Sequence, residues 1–122
     1  MVPSLTGSAS HFFEMTDQIV ILSTCASEEE AEKLARLLLD QRLCACVNVV
    51  PRIRSFFLWK GKVDSGDEAL LLIKSSRALF PAVVSAVEAA HSYEVPEVIA
   101  LPIVDGSSNY IDWLRSSIGE KS

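Results

Sequence analysis

No glycine-rich loop, basic face, long apolar run or even set of cysteines occurs in this 122-residue chain, and each absence removes a class of function. A loop that cradles phosphate needs glycines and a Lys or Arg between a strand and a helix. The segment at that place, "STCASEEEA", carries acids instead, which argues against an acylphosphatase-type enzyme. Eleven Lys and Arg are scattered among sixteen Asp and Glu, for a net charge of −5 and a pI near 4.9. Nucleic-acid binders gather their cations on one face, so no nucleic-acid partner is expected. No apolar stretch approaches the ~20 residues of a membrane helix, so no membrane insertion is expected.

Cysteines number three, at positions 25, 44 and 46. An odd count, with two of them one residue apart, does not suit a disulfide framework and points to a reducing, cytoplasmic compartment. The start, "MVPSLTGSASHFFEMTDQ", lacks the basic opening and apolar stretch of a signal peptide. The first Arg comes at position 36, which also disfavours a mitochondrial presequence. Residues 1–16 read as a polar, mobile leader in which His11 has no role, and residues 17–122 as one domain. Neither H-x-x-x-H nor C-x-x-C occurs, so spacing alone announces no metal site.

What the chain does have is apolar surface. It is 49% hydrophobic, with a mean hydropathy of +0.28. A small domain buries only about two-thirds of the surface its unfolded chain exposes, so the excess reads as interface. "QIVILST" (18–24) is apolar on both faces, as a buried strand is. "SEEEAEKLARLLLDQRL" follows with a Ser27/Glu30 capping box, acids in its first turns and Arg42 at its far end, matching the helix dipole. "CACVNVV" (44–50) is a strand ended or bulged at Pro51, which has no N–H to donate. "IRSFFLW" resumes it, turns at Lys60-Gly61 and returns through "KVDSGDEALLLIKSS". "RALFPAVVSAVEAAH" is a second helix whose inward stripe is Phe80, Val83, Val84, Val87 and Ala90 or His91. "EVIALPI" is a strand, and "SSNYIDWLRSSI" a short helix presenting Tyr110, Trp113 and Leu114. The fold class is α+β: a ferredoxin-like βαββαβ sandwich with a long hairpin and a C-terminal helix. Its strands are apolar on both sides, so further copies of the chain are expected to cover them.

Three residues attract a chemical reading. His91 closes the second helix, where the dipole favours a cationic imidazole; the second reading, with Glu94 and Glu97 behind it, is a metal ligand. Cys25 sits where the first strand meets the first helix, where N-terminal amides could lower its pKa, as a reactive or ligating thiol. A Cys25/His91 enzyme is the third option, although no orienting residue announces itself. Cys44 and Cys46 read as small hydrophobes in a strand. Arg52, Arg54, Lys60 and Lys62 along the hairpin form a solvated face or meet acids on a neighbouring subunit.

The segments "RLCACVNVVPRIRSFFLWKGKVDSGDEALLLIKS" and "LFPAVVSAVEAAHSYEVPEVIALPIVDGSSNYIDWL" resemble the CutA family, the divalent-cation tolerance proteins. The resemblance runs from about residue 18 to 118. Its most specific pieces are the A-C-V-N-x-x-P strand, the W-x-G-K-V hairpin tip, the H-x-Y-E-V-P-E-x-I-A-L-P segment and the closing Y-x-x-W helix. It implies a compact homotrimer whose hairpins pair between chains, similar in topology to the trimeric PII signalling proteins. It also implies weak binding of copper, zinc or another divalent ion, without an organic cofactor, through a first-strand cysteine with His91 and Glu97. Bacterial members place that cysteine where this chain has Ser23, whereas Cys25 matches the form in animal relatives. The family's H-P-Y is here His91-Ser92-Tyr93, and loss of the proline is expected to loosen the turn. The expected function is thus a non-catalytic trimeric cation-binding protein. The alternative is a PII-like regulatory or scaffolding trimer binding a small molecule or an unidentified protein at its subunit clefts.

Overall fold

In the computed structural model, which describes residues 16–118, the first β-branched run forms β1 (Gln18–Cys25). Residues 1–15 of the expected leader, His11 among them, lie outside the described residues. Thr16 belongs to the folded part: it is buried, its hydroxyl donates to the Ile103 carbonyl, and it accepts the Gln18 N–H at 3.2 Å.

Helix α1 (Glu28–Asp40) starts as its capping box requires, with Ser27 Oγ accepting the Glu30 N–H at 3.1 Å. The return bond is displaced by one residue, since Glu30 Oε1 accepts from Ala26 N–H at 3.3 Å. At the other end Arg42 does not serve the helix dipole as a last-turn cation. It lies past the helix at φ 58°, and the Leu43 N–H bonds back to the Leu38 carbonyl at 2.9 Å. That is the left-handed closure usually given to glycine.

Of the two outcomes expected at Pro51, an end or a bulge, the structure shows the bulge. β2 (Cys46–Trp59) runs through, and the register shifts between Val50 and Ile53. Arg52 takes φ 53° there, so the chain bulges past the proline and resumes its ladder. Cys44 precedes the strand and is buried, while Cys46 begins it half-buried. β3 (Lys62–Ser76) returns antiparallel and leads through a 3-10 turn into α2 (Phe80–Ala90). Then come β4 (Ile99–Pro102), shorter than the expected 97–103, and α3 (Ser108–Ser117) capped by Ser107.

The sheet order is β2-β3-β1-β4, every neighbour antiparallel. Alternation then decides what is buried. Ile19, Ile21 and Cys25 of β1 and Leu71 and Ile73 of β3 join Leu34 and Leu38 of α1 and Val83 and Val87 of α2 in one core. Both helices therefore cover the same face. Ser23 points into that face too, and its hydroxyl is buried without a partner among the described residues. In α3 the buried pair is Ile111 and Leu114, against β1 and β3. Tyr110 and Trp113, expected beside Leu114, lie a step round the helix, their rings tilted against each other with centres 5.4 Å apart and nearly half exposed.

β1 covers β3 only from Ala69 to Ser76, whereas β2 stays paired with β3 out to Trp59–Lys62. The segment from Ile53 to Glu68 thus leaves the sheet as a two-stranded ribbon roughly 23 Å long, at ~3.3 Å per residue. Phe56, Leu58 and Val63 occupy one of its faces and Phe57 and Trp59 the other; Leu58 and Val63 are 76% and 72% exposed. A lone two-stranded ribbon is marginal in water, and this one is apolar on both sides.

Candidate functional site

His91 is the C-cap of α2, its N–H still bonded to the Val87 carbonyl at 2.9 Å. Its side chain is fully buried. Nε2 lies 2.7 Å from the Thr24 carbonyl, and Nδ1 receives the Tyr93 N–H at 3.0 Å. A carbonyl can only accept and an amide can only donate, so the ring is the neutral tautomer protonated at Nε2. The cationic helix-end histidine suggested by the dipole is replaced by a neutral ring tying the turn to the end of β1.

Its neighbours are held as tightly. Ser92 does not loosen the turn. Its N–H donates to Glu30 Oε2 at 2.7 Å and its hydroxyl to Glu30 Oε1 at 2.9 Å, and a proline could supply neither bond. The turn after α2 is thereby clamped to the first turn of α1. Burial pushes the Glu30 carboxyl up, but the two Ser92 donors, the His91 ring beside it and the Ala26 N–H together hold the group below its ordinary 4.5. The clamp is therefore fully present above pH 4.5 and weakens as pH falls through the lower folded value. Glu30 Oε2 also lies 3.5 Å from His91 Nδ1, whose lone pair is already taken by Tyr93.

Tyr93 donates its hydroxyl to Glu68 Oε2 on β3 at 2.7 Å, and its ring lies 4.6 Å from that of His91. Burial first, then the bond to Glu68, raise the phenol above its ordinary range. Cys25 is wholly buried; desolvation, with the Glu30 and Glu68 charges adding, pushes its thiol up to about 12. The low-pKa thiol expected at this helix start is therefore a protonated one. Iodoacetamide should leave the Cys25 peptide unmodified at pH 8, with reaction rising only as pH nears 12. Half-maximal labelling near the free-cysteine value of about 8.5 would contradict this assignment.

Glu30 and Glu68 are the members of this node that sequence reasoning missed. Glu30 could have been found through its capping box, which fixes a carboxylate at the mouth of α1. Glu68 had no local signal, because only the sheet register brings β3 to Tyr93. Glu97, expected with His91 and Cys25, is exposed, precedes β4 and has no side-chain hydrogen bond among the described residues. Nor do three His, Cys, Asp or Glu side chains gather as a metal cage among them. The expected donors thus do not fit a preassembled ligand set within one subunit: one ring has both nitrogens engaged, one thiol is held protonated, and the carboxylate stands apart.

A four-stranded antiparallel sheet, with two helices on one face and a self-bonded polar node at the α1–α2 junction, defines a small α+β domain. The profile of the family described as CutA1 divalent ion tolerance protein matches residues 19–117. The chain is 46% identical over 100 residues to the divalent-cation tolerance protein CutA of Thermus thermophilus, covering 82% of this chain and 97% of that one. It is 45% identical over 92 residues to human protein CutA, covering 75% of this chain and 51% of the human protein. Crystalline CutA1 from Oryza sativa superposes with a TM-score of 0.84 at 42% identity, covering 87% of this chain and 97% of the rice chain. The chain belongs to the CutA1 divalent ion tolerance family.

Proposed function

We propose that this chain is a non-catalytic, cytoplasmic homotrimer of ferredoxin-like subunits that takes up divalent metal weakly at a subunit boundary, with exposed Glu97 as its most available protein ligand. The observation that supports it is the closure of the His91 node. A buried imidazole with both nitrogens bonded is neither a free base nor a free ligand, and a protonated buried thiol is not a nucleophile. A cation seeking His91 must displace the Tyr93 N–H, and one seeking Cys25 must expel a proton, so strong binding is not built in. Copper and zinc suit imidazole and thiolate; a lone carboxylate offers any divalent ion a modest contact. Three free thiols fit a reducing compartment. Among the described residues no helix is long and apolar enough to cross a membrane.

Calorimetric titration with copper and zinc tests this reading. Wild type should bind with a dissociation constant of about 10⁻⁴ M or weaker, as rigid-site-free carboxylate ligation gives. Glu97→Gln should lose most of the heat, and His91→Ala and Cys25→Ser should keep it. Submicromolar binding that disappears in His91→Ala would overturn the reading, because the ring would then be free for metal.

A further inference from the structure

Between the end of β4 and the cap of α3 the chain is held at two points and free between them. The Ile103 N–H bonds to the Gln18 carbonyl at 3.0 Å, and Ser107 Oγ accepts the Tyr110 N–H at 3.3 Å. Asp105 and Gly106, both exposed, lie between these anchors in neither strand nor helix. The Gly106 N–H has no backbone acceptor among the described residues; it donates instead to Asp105 Oδ1 at 2.9 Å. The Asp105 side chain is thus folded back over the amide that follows it. No cation pairs with its carboxylate among the described residues.

A carboxyl carbon held beside the next amide nitrogen is poised for ring closure, and a glycine nitrogen has no neighbouring Cβ to shield it. Packing keeps the glycine in place. A Cβ at position 106 would stand 3.0 Å from Ile111 Cδ1 and 3.1 Å from its Cγ1. Carbons pack best at roughly 3.5–4.0 Å. Ile111 is one of the two buried residues by which α3 holds the sheet, so the bare nitrogen belongs to the seating of that helix. Asp64 supplies a contrast within the same chain. The Ser65 N–H also donates to its carboxylate, at 2.8 Å, but Ser65 bears a Cβ, and both residues are paired in the β2–β3 ladder opposite Phe57 and Phe56.

We propose that Asp105–Gly106 is a self-modifying site whose rearrangement to an isoaspartyl linkage loosens α3. The Gly106 nitrogen bonds to Cγ of the protonated Asp105 carboxyl. The amide proton and the carboxyl hydroxyl leave together as one water, and a succinimide ring closes. Water then adds to either ring carbonyl. Opening at Cγ restores aspartate, whereas opening at the Asp105 carbonyl carbon leaves the main chain running through Cγ. The balance needs no oxidant, metal or second substrate. The product carries one extra methylene in the main chain before Gly106, which moves the glycine off Ile111 and shifts the cap of α3. Its freed α-carboxylate is the methyl acceptor of protein isoaspartyl methyltransferases, the class of partner this site fits. Neither the trimer nor the metal reading enters this inference.

Incubation of the folded protein at 37 °C and neutral pH tests it. Methyl transfer from labelled S-adenosylmethionine by an isoaspartyl methyltransferase counts the product, and peptide fragmentation places it. Labelling should grow with time, map to Asp105 several-fold ahead of Asp64, and vanish in Asp105→Glu, whose longer side chain would have to close a larger ring. Asp105→Asn should convert faster still, releasing ammonia in place of water. Aged wild type should unfold at a lower temperature than fresh protein, and aged Asp105→Glu should not. Labelling no greater than in Asp105→Glu, or as fast at Asp64 as at Asp105, overturns the site. Isoaspartate at position 105 with an unchanged unfolding midpoint overturns its hold on α3.

Discussion

Replacing Phe56, Leu58 and Val63 together by serine is expected to convert the protein to a species of single-chain mass, 13.3 kDa, at micromolar concentration. These three side chains share one face of the ribbon, with Leu58 directly opposite Val63 in the ladder. None contributes to the core cluster, so the change spares the sheet and both helices packed on it. Burying a side chain of this size is worth about 1.5–3 kcal/mol, and a closed trimer repeats the loss three times. Circular dichroism should retain the helices while sedimentation shows dissociation. A triple variant that keeps the wild-type mass would show that this face is not what neighbouring copies cover.

His91→Ala is expected to destabilise the domain by about 3 kcal/mol, as much as truncating a buried core leucine. Two effects add. Removing the ring strands the Thr24 carbonyl and the Tyr93 N–H, each a buried group that has lost its partner, at about 1–3 kcal/mol apiece. It also leaves a cavity at the junction of β1, α1 and the turn, although partial collapse and water entry keep the total below the sum. Thermal unfolding at fixed protein concentration should shift down by roughly 10 °C. The contact between Tyr93 and Glu68 should weaken with it, because the ring of His91 supports that of Tyr93 at 4.6 Å. A shift of less than 2 °C would mean that the histidine is surface decoration, and the closed node would lose its physical basis.

The order of elements was legible in the sequence because it follows from periodicity and punctuation: "QIVILST" is short and apolar on both faces, the Ser27/Glu30 box opens α1, and Lys60-Gly61 turns the hairpin. What escaped depended on contacts distant in sequence. Pro51 signalled an interruption, but whether β2 ends or bulges there is decided by its pairing with β3 on either side. In α3, Leu114 is buried as its place on the apolar face implied, but Tyr110 and Trp113, read as inward with it, give way to smaller Ile111. The site was legible in part. His91 stood out for its place at a helix end, yet its partners, the Thr24 carbonyl and the Tyr93 amide, are backbone groups that no side-chain pattern displays. Ser92 misled in the opposite sense: the freedom gained by losing a proline is offset by two bonds to Glu30, 62 residues earlier in the chain.

The projecting ribbon, apolar on both faces, is expected to find its cover in other copies of the same chain. Sedimentation equilibrium of the unmodified protein at micromolar concentration measures this directly. The expected result is a single species of three times the 13.3 kDa chain mass, unchanged on dilution through that range. A well-folded species of one chain mass, with its ribbon bare to water, would contradict it.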